Sequence, residues 1–299
     1  MRAKSRVVAQ GFTQTFGVDY DETYAPVSRL ASLWTIYAIA AQNDWPMHQM
    51  DVYNAYVNAD LEEPIYMRQP PGYIEQSDQH VLKMKDLGKL HLLLYLKIKQ
   101  YRTSKLISFS QEAYIDKILS QFNLQDPKMH IKPIDPNIHL SKDQCSYTDE
   151  EKVAMSKIPY REAIGSLMWA AVVTRPDISF AVSLLSQFLK NPGEIHWKAV
   201  KRVMRYEWDE ELQVNPQKNH DGLSGYADVD WASQDHRHSI SAYIFEINGG
   251  SISWSCQNQN IVALLSTEAE FIALTHAMKE ALWLQHFITE VIQPLKSPI

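Results

Sequence analysis

Cysteine is nearly absent from this 299-residue chain: Cys145 and Cys256 are the only two, far apart and in no CxxC pattern. Their scarcity excludes a disulfide framework and a zinc ribbon, and argues for a reducing, intracellular compartment. A basic excess is also lacking. With 29 Lys and Arg against 35 Asp and Glu the formal charge is −6, so any contact with nucleic acid has to come from local basic clusters. The apolar stretches around Ala31–Ala41 and Leu167–Val173 are too short and interrupted to cross a bilayer. The basic start, Met1-Arg-Ala-Lys-Ser-Arg, has no apolar run behind it and does not read as a secretory signal. Internal repeats and low-complexity segments are missing too. What remains, at 45% hydrophobic residues, is a soluble chain able to bury an ordinary core in about two domains.

The first third mixes short apolar runs with Gly and Pro, and the stretch Ala31–Ala41 reads as a helix ahead of Asp51, so a mixed α+β fold is expected. From Ser110 the pattern turns helical. Gln111–Phe122 carries apolar residues at Ala113, Ile115, Ile118, Leu119 and Phe122, and Tyr160–Val173, Asp177–Leu189 and His196–Tyr206 follow. Pro176 suits a first helical turn. Beyond His220, Gly225–Trp231, Ser239–Ile247 and Ser251–Gln257 read as strands joined through the Asn248-Gly249-Gly250 turn. Ser266 then opens a helix running to about Ile292.

Two acidic fragments, Gln49-Met-Asp-Val-Tyr-Asn-Ala-Tyr56 and Tyr226-Ala-Asp-Val-Asp-Trp231, each look like half of a metal-dependent nucleic-acid active site. Two-metal phosphoryl chemistry needs several carboxylates converging on divalent ions, because Mg²⁺ is hard, oxygen-seeking and strict about octahedral geometry. Neither fragment has an evident partner. Taken alone, Asp51 is a turn or cap residue and Tyr56 a core aromatic. Asp228 and Asp230 are strand-end charges, and Glu270, three residues after Thr267, closes a capping box. Asp235-His-Arg-His238 lacks further ligands at convincing spacing and reads as a solvated turn. Trp169, Trp197 and Trp231 are expected to pack rather than stack on bases.

Taken together, Arg2–Val27, the Asp51 fragment, Glu63-Pro-Ile-Tyr-Met-Arg-Gln-Pro-Pro-Gly-Tyr73, Tyr160-Arg-Glu-Ala-Ile-Gly-Ser-Leu-Met168, Thr174-Arg-Pro-Asp-Ile178 and Ser266–Glu270 resemble the reverse transcriptase and RNase H region of copia-type LTR retrotransposon Pol polyproteins. The resemblance covers nearly the whole chain. It implies partial fingers and palm in 1–84, a mostly helical thumb or connection-like region in 85–220, and a truncated RNase H-like unit in 221–299. It places Lys4 and Arg6 on the triphosphate of an incoming nucleotide, where cations offset developing charge. Tyr56 falls at the sugar gate and Asp51 at a palm metal ligand. Asp228 and Glu270 fall at RNase H metal ligands. Mg²⁺ is the implied cofactor, and a primed RNA template or an RNA–DNA hybrid the implied partner.

The chain departs from the family pattern in the palm. Val81-Leu82-Lys83-Met84 runs straight into Lys85-Asp86-Leu87-Gly88, and no Asp-Asp dipeptide occurs anywhere. The segment holding the remaining palm carboxylates is absent between Met84 and Lys85. A further RNase H aspartate is expected beyond a segment resembling Pro294–Ile299. The expectation is therefore a Pol fragment with two incomplete sites and little activity. The alternatives are a non-catalytic remnant that binds a hybrid or associates with intact element proteins, and a weak residual hydrolase in which Asp230 or Asp235 fills the vacant ligand position.

Overall fold

The computed structural model describes residues 28–52, 84–124, 130–135, 138–206, 211–215, 222–232 and 237–292. The chain forms two units, one from Met1–Ser28 and His48–Leu90, the other from Arg29–Met47 and His91–Ile299. In the first, β1 (His48–Val52) pairs antiparallel with β2 (Met84–Lys89), Val52 opposite Met84 and Asp51 opposite Lys85. The ladder beside Asp51 therefore contains the Met84–Lys85 join itself.

The second unit begins with α1 (Leu30–Gln42), whose Ala31, Trp34, Tyr37, Ala38, Ile39, Ala40 and Ala41 are all buried. A helix apolar on nearly every side needs cover on more than one side, and α1 has it. One neighbour is a four-stranded antiparallel sheet in the order β3 (Leu92–Leu93), β4 (Leu96–Tyr101), β5 (Leu106–Ser110), β6 (Leu212–Val214). Phe109 of β5 meets the rings of Trp34 and Tyr37, with centroids 4.7 and 5.5 Å away. The other neighbour is a three-stranded sheet of β7 (Leu223–Asp230), β8 (Ile240–Ile247) and β9 (Gly250–Asn258). The β8–β9 turn has Asn248 and Gly249 at φ 54° and 68°, the positive pair a two-residue hairpin demands. The Asn248 side-chain amide donates to Ala38 O at 3.3 Å, and the Asn248 backbone carbonyl accepts from Asn215 N–H at 3.1 Å. Beside it a Cβ on Gly250 would fall 2.6 Å from Gln213 O, so this close approach of β6 to β9 requires glycine.

Between β5 and β6 come α2 (Glu112–Gln121), α3 (Asp149–Ser156), α4 (Tyr160–Val173), α5 (Ser179–Ser186) and α6 (Glu194–Met204). Tyr160, Ala163, Ile164 and Leu167 repeat at helical spacing and pack with Leu185, Val200, Val203 and Met204 in one buried cluster. Two of the family-like blocks thus serve packing. In the second, Arg175, 2% exposed, grips Asp177 across Pro176 at 2.9 and 2.7 Å and lies over the Tyr206 ring. The α3 cap is also self-contained: Thr148 Oγ1 accepts from Glu151 N–H, and the Glu151 carboxylate accepts from the Thr148 and Tyr147 N–H groups.

The last element, α7 (Ser266–Ile292), lies on one face of the three-stranded sheet. Glu280, 6% exposed in mid-helix, accepts from Ser253 Oγ at 2.7 Å and from Arg29, whose guanidinium sits 4.2 Å over the Trp283 ring. The other face meets the helical layer, where Trp254 Nε1 donates to Ala171 O at 2.8 Å.

The α+β expectation holds, and the helix expected over Tyr160–Val173 is α4 without change of bounds. Residues 85–220 carry short strands beside their helices, paired between distant segments such as Ile107 with Val214. Cys145 and Cys256 are free thiols. Among the described residues no helix is long and apolar enough to cross a membrane.

Two stability measurements check this packing. Arg29→Ala removes one partner of a buried carboxylate and should cost about 1–3 kcal/mol, whereas Arg29→Ala combined with Glu280→Leu should recover most of it. Chemical denaturation of the three chains decides. His196, fully buried and stacked on Phe188 at 3.9 Å, is held below its usual pKa by burial. In the unfolded chain this imidazole titrates at about 6.5, so that state binds more protons just below that value. Stability should therefore fall as pH drops from about 6.5, and His196→Gln should flatten that slope.

Candidate functional site

Asp51 is exposed, next to the end of the five-residue strand β1. Its cross-strand neighbour is Lys85, and Met84 and Asp86 flank that position on β2. Lys4, Arg6 and Tyr56 lie outside the described residues.

Asp228 sits in the regular part of β7, paired with Ala242, which in turn pairs with Cys256. Directly opposed residues in an antiparallel ladder point to the same face, and successive residues alternate. Asp228, Ala242 and Cys256 therefore share one face with Asp230, Ile240, Ile244 and Trp254. The side chains that touch α7 belong to the other face. Tyr243 packs edge-on against His276 with centroids 5.1 Å apart, and Ser253 bonds Glu280. Glu270 is exposed in the second turn of α7. The pleat thus sets Asp228 and Glu270 on opposite faces, and an ion held by both would have to sit round the edge of β7. The capping role considered for Glu270 falls to Glu268, whose carboxylate accepts from Leu264 N–H at 2.8 Å.

On the Asp228 face a groove of about 620 Å³ runs between the sheet and the start of α5, lined by Tyr226, Asp228, Asp230, Ile244, Trp254 and Phe180. Its walls are mainly apolar. Burial, with a smaller contribution from the negative charge of Asp230, pushes the Cys256 thiol up to about 11, so it stays protonated at neutral pH. Asp177 also borders the groove but is engaged by Arg175. Sequence reading singled out neither Phe180 nor Trp254, because a helix and a hairpin distant in sequence meet here.

Trp197 packs as expected, edge-on to Phe122 at 6.3 Å. Trp231 does not; it is 48% exposed, because it stands just past the end of β7. Among the described residues no group of three or more His, Cys, Asp or Glu could hold a metal ion.

Residues 1–82 match the family described as reverse transcriptase (RNA-dependent DNA polymerase). Over 97% of its length the chain is 34% identical to the Retrovirus-related Pol polyprotein from transposon TNT 1-94 of Nicotiana tabacum, covering 28% of it. It is 28% identical, also over 97% of its length, to the Pol polyprotein from transposon RE1 of Arabidopsis thaliana, covering 25% of that protein. A shorter segment, 44% of the chain, is 45% identical to Secreted RxLR effector protein 161 of Plasmopara viticola and covers 94% of it. The chain spans about a quarter of the length of the two polyproteins. Those alignments run over 373 and 380 positions, more than the chain's 299 residues, so stretches of both polyproteins fall where this chain has none. No solved structure matches.

The opposite-face placement has a direct consequence in solution. Asp228 and Glu270 should answer Mg²⁺ as independent weak sites, and Glu270→Gln should leave the Asp228 titration midpoint within about twofold. A shift of about tenfold or more in the side-chain NMR titration would mean that they share an ion.

Proposed function

The chain belongs to the Pol polyproteins of copia-type LTR retrotransposons, and on that footing we propose that it is a piece of their reverse transcriptase and RNase H region with an incomplete polymerase centre. The observation that carries this reading is the ladder beside Asp51. In-line nucleotidyl transfer by two ions needs carboxylates from more than one strand. Here the strand paired with β1 runs from Met84 into Lys85, the join at which the sequence passes from one family-like block to a later one. The reverse transcriptase match stops at residue 82, and the alignments to both polyproteins are longer than the chain. The end of the match supports a loss near this join, and the alignment lengths support a loss within the aligned region. Among the described residues, the position directly opposite Asp51 on β2 holds Lys85, not a carboxylate.

The ancestral roles then follow residue by residue. Lys4 and Arg6 served the triphosphate and Tyr56 the sugar gate, while Asp51 is the surviving palm ligand. Asp228 and Glu270 are the surviving carboxylates of an RNase H-like unit, a reading supported by the three-strand meander followed by a long helix. Their placement on opposite faces supports a catalytically poor site. The ancestral substrates were a primed RNA template and an RNA–DNA hybrid.

A second reading, a residual hydrolase in which Asp230 fills the vacant ligand position, has one observation in its favour: Asp228 and Asp230 lie two residues apart on one face of β7, at the same groove. It requires Mg²⁺-dependent cleavage of a hybrid that Asp230→Asn abolishes.

Primer extension tests the main reading. The purified chain should incorporate dNTPs on a primed RNA template no faster than its Asp51→Asn variant, because an incomplete metal site forfeits orders of magnitude in rate. Template-dependent incorporation lost in Asp51→Asn would refute it.

A further inference from the structure

A groove of about 960 Å³ lies between α3 and α6, with the segments at Ile134 and Leu140 completing its wall. That volume falls within the range of small-molecule sites, about 300–1,000 Å³. Ile134, Ile138, Met155, Ile158, Ile195 and Ala199 give it an apolar lining, and three of them, Ile134, Ile195 and Ala199, rest on the helical cluster. Neither Asp51, Asp228 nor Glu270 lines it. The acids that do are all engaged. Glu194 pairs with Lys198 at 2.8 Å, Asp135 pairs with Arg202 at 3.4 Å, and Glu151 is held in the α3 cap by the Tyr147 and Thr148 N–H groups.

Two cations of the same groove, Lys201 and Arg205, are left over. They stand one turn apart on α6, and like charges at this spacing repel. Among the described residues neither has a carboxylate partner. Lys201 lies 5.9 Å over the Trp197 ring, and Arg205 Nε is buried with no acceptor. A buried donor left unmatched is costly, and an oxyanion between the two side chains would relieve the repulsion and offer the guanidinium an acceptor. We propose that this groove binds a small organic anion with a hydrocarbon body, its head held by Lys201 and Arg205 and its body against Met155 and Ile158. A nucleic-acid strand is the rival occupant. It needs a run of cations tracking successive phosphates, whereas Lys198 and Arg202 are already neutralised and the lining beside them is apolar.

Methyl NMR of the full chain labelled at methionine and isoleucine, titrated with decanoate below its micelle concentration, tests this. The Met155 and Ile158 signals should shift together and saturate. Decanol, which has the body without the charge, should bind about tenfold or more weaker, and acetate, which has the charge without the body, should shift neither signal. Lys201→Gln combined with Arg205→Gln should weaken decanoate binding about tenfold or more. Lys117→Gln, at an exposed position of α2, should leave it within about twofold. The comparison of decanoate with decanol on the wild-type chain decides even where the double variant fails to fold. Decanol binding as tightly as decanoate, shifts that never saturate, unchanged decanoate affinity in the folded double variant, or a single-stranded oligonucleotide shifting the same methyl signals at lower concentration than decanoate would overturn the proposal.

Discussion

A carboxylate in the middle of a 27-residue helix, 6% exposed, costs several kcal/mol unless donors meet it, and Glu280 of α7 is such a group. Its donors come from far away in the chain: Arg29, just ahead of α1, and Ser253 of β9. Trp283, one turn on, holds the Arg29 guanidinium from below. These contacts and the buried apolar residues of α7 agree on one rotation of the helix about its own axis. Ala269, Ala273, Ala277 and Leu284 turn inward, and Phe271, Leu274, Met278 and Leu282 turn outward. That rotation puts Glu270 on an exposed flank, while the pleat of β7 sends Asp228 to the other side of the sheet. The separation of the two candidate carboxylates thus has two causes, the seating of α7 and the pleat of β7.

The blocks that carry the family resemblance divide by physical role. In those at Tyr160–Met168 and Thr174–Ile178, Tyr160, Ala163, Ile164, Leu167 and Ile178 are buried in the helical cluster and Arg175 is locked to Asp177. Such residues keep their value as long as the chain folds, whatever becomes of its chemistry. The block at Asp51 is different. Under the proposed reading Asp51 is a metal ligand, which has a function only with other ligands around it, and the strand paired beside it runs through Met84 and Lys85.

Much of the fold was legible wherever a single period governed a segment. The apolar repeat of α4, the meander of β7–β9 with its Asn248-Gly249 turn, and the start of α7 are all local signals. The β3–β6 sheet was not legible, because β3 has two residues and β6 three, too few to show alternation, and β6 finds its partner β5 across the whole segment that carries α2 to α6. The missed helix α3 did carry a signal, the Thr148-x-x-Glu151 capping box. Of the candidate site, the residue types were legible and their faces were not. Alternation shows that Asp228 and Asp230 share a face, but only the side chains that actually meet α7, Tyr243 and Ser253, reveal which face that is.

Whether the polymerase centre is incomplete turns on which strand lies beside Asp51. Backbone NOEs in the isotopically labelled full chain report this directly. Cross-strand contacts between Val52 and Met84 and between Asp51 and Lys85 are the predicted result. Pairing of β1 with any other segment, leaving Met84–Lys89 outside the ladder, would contradict it.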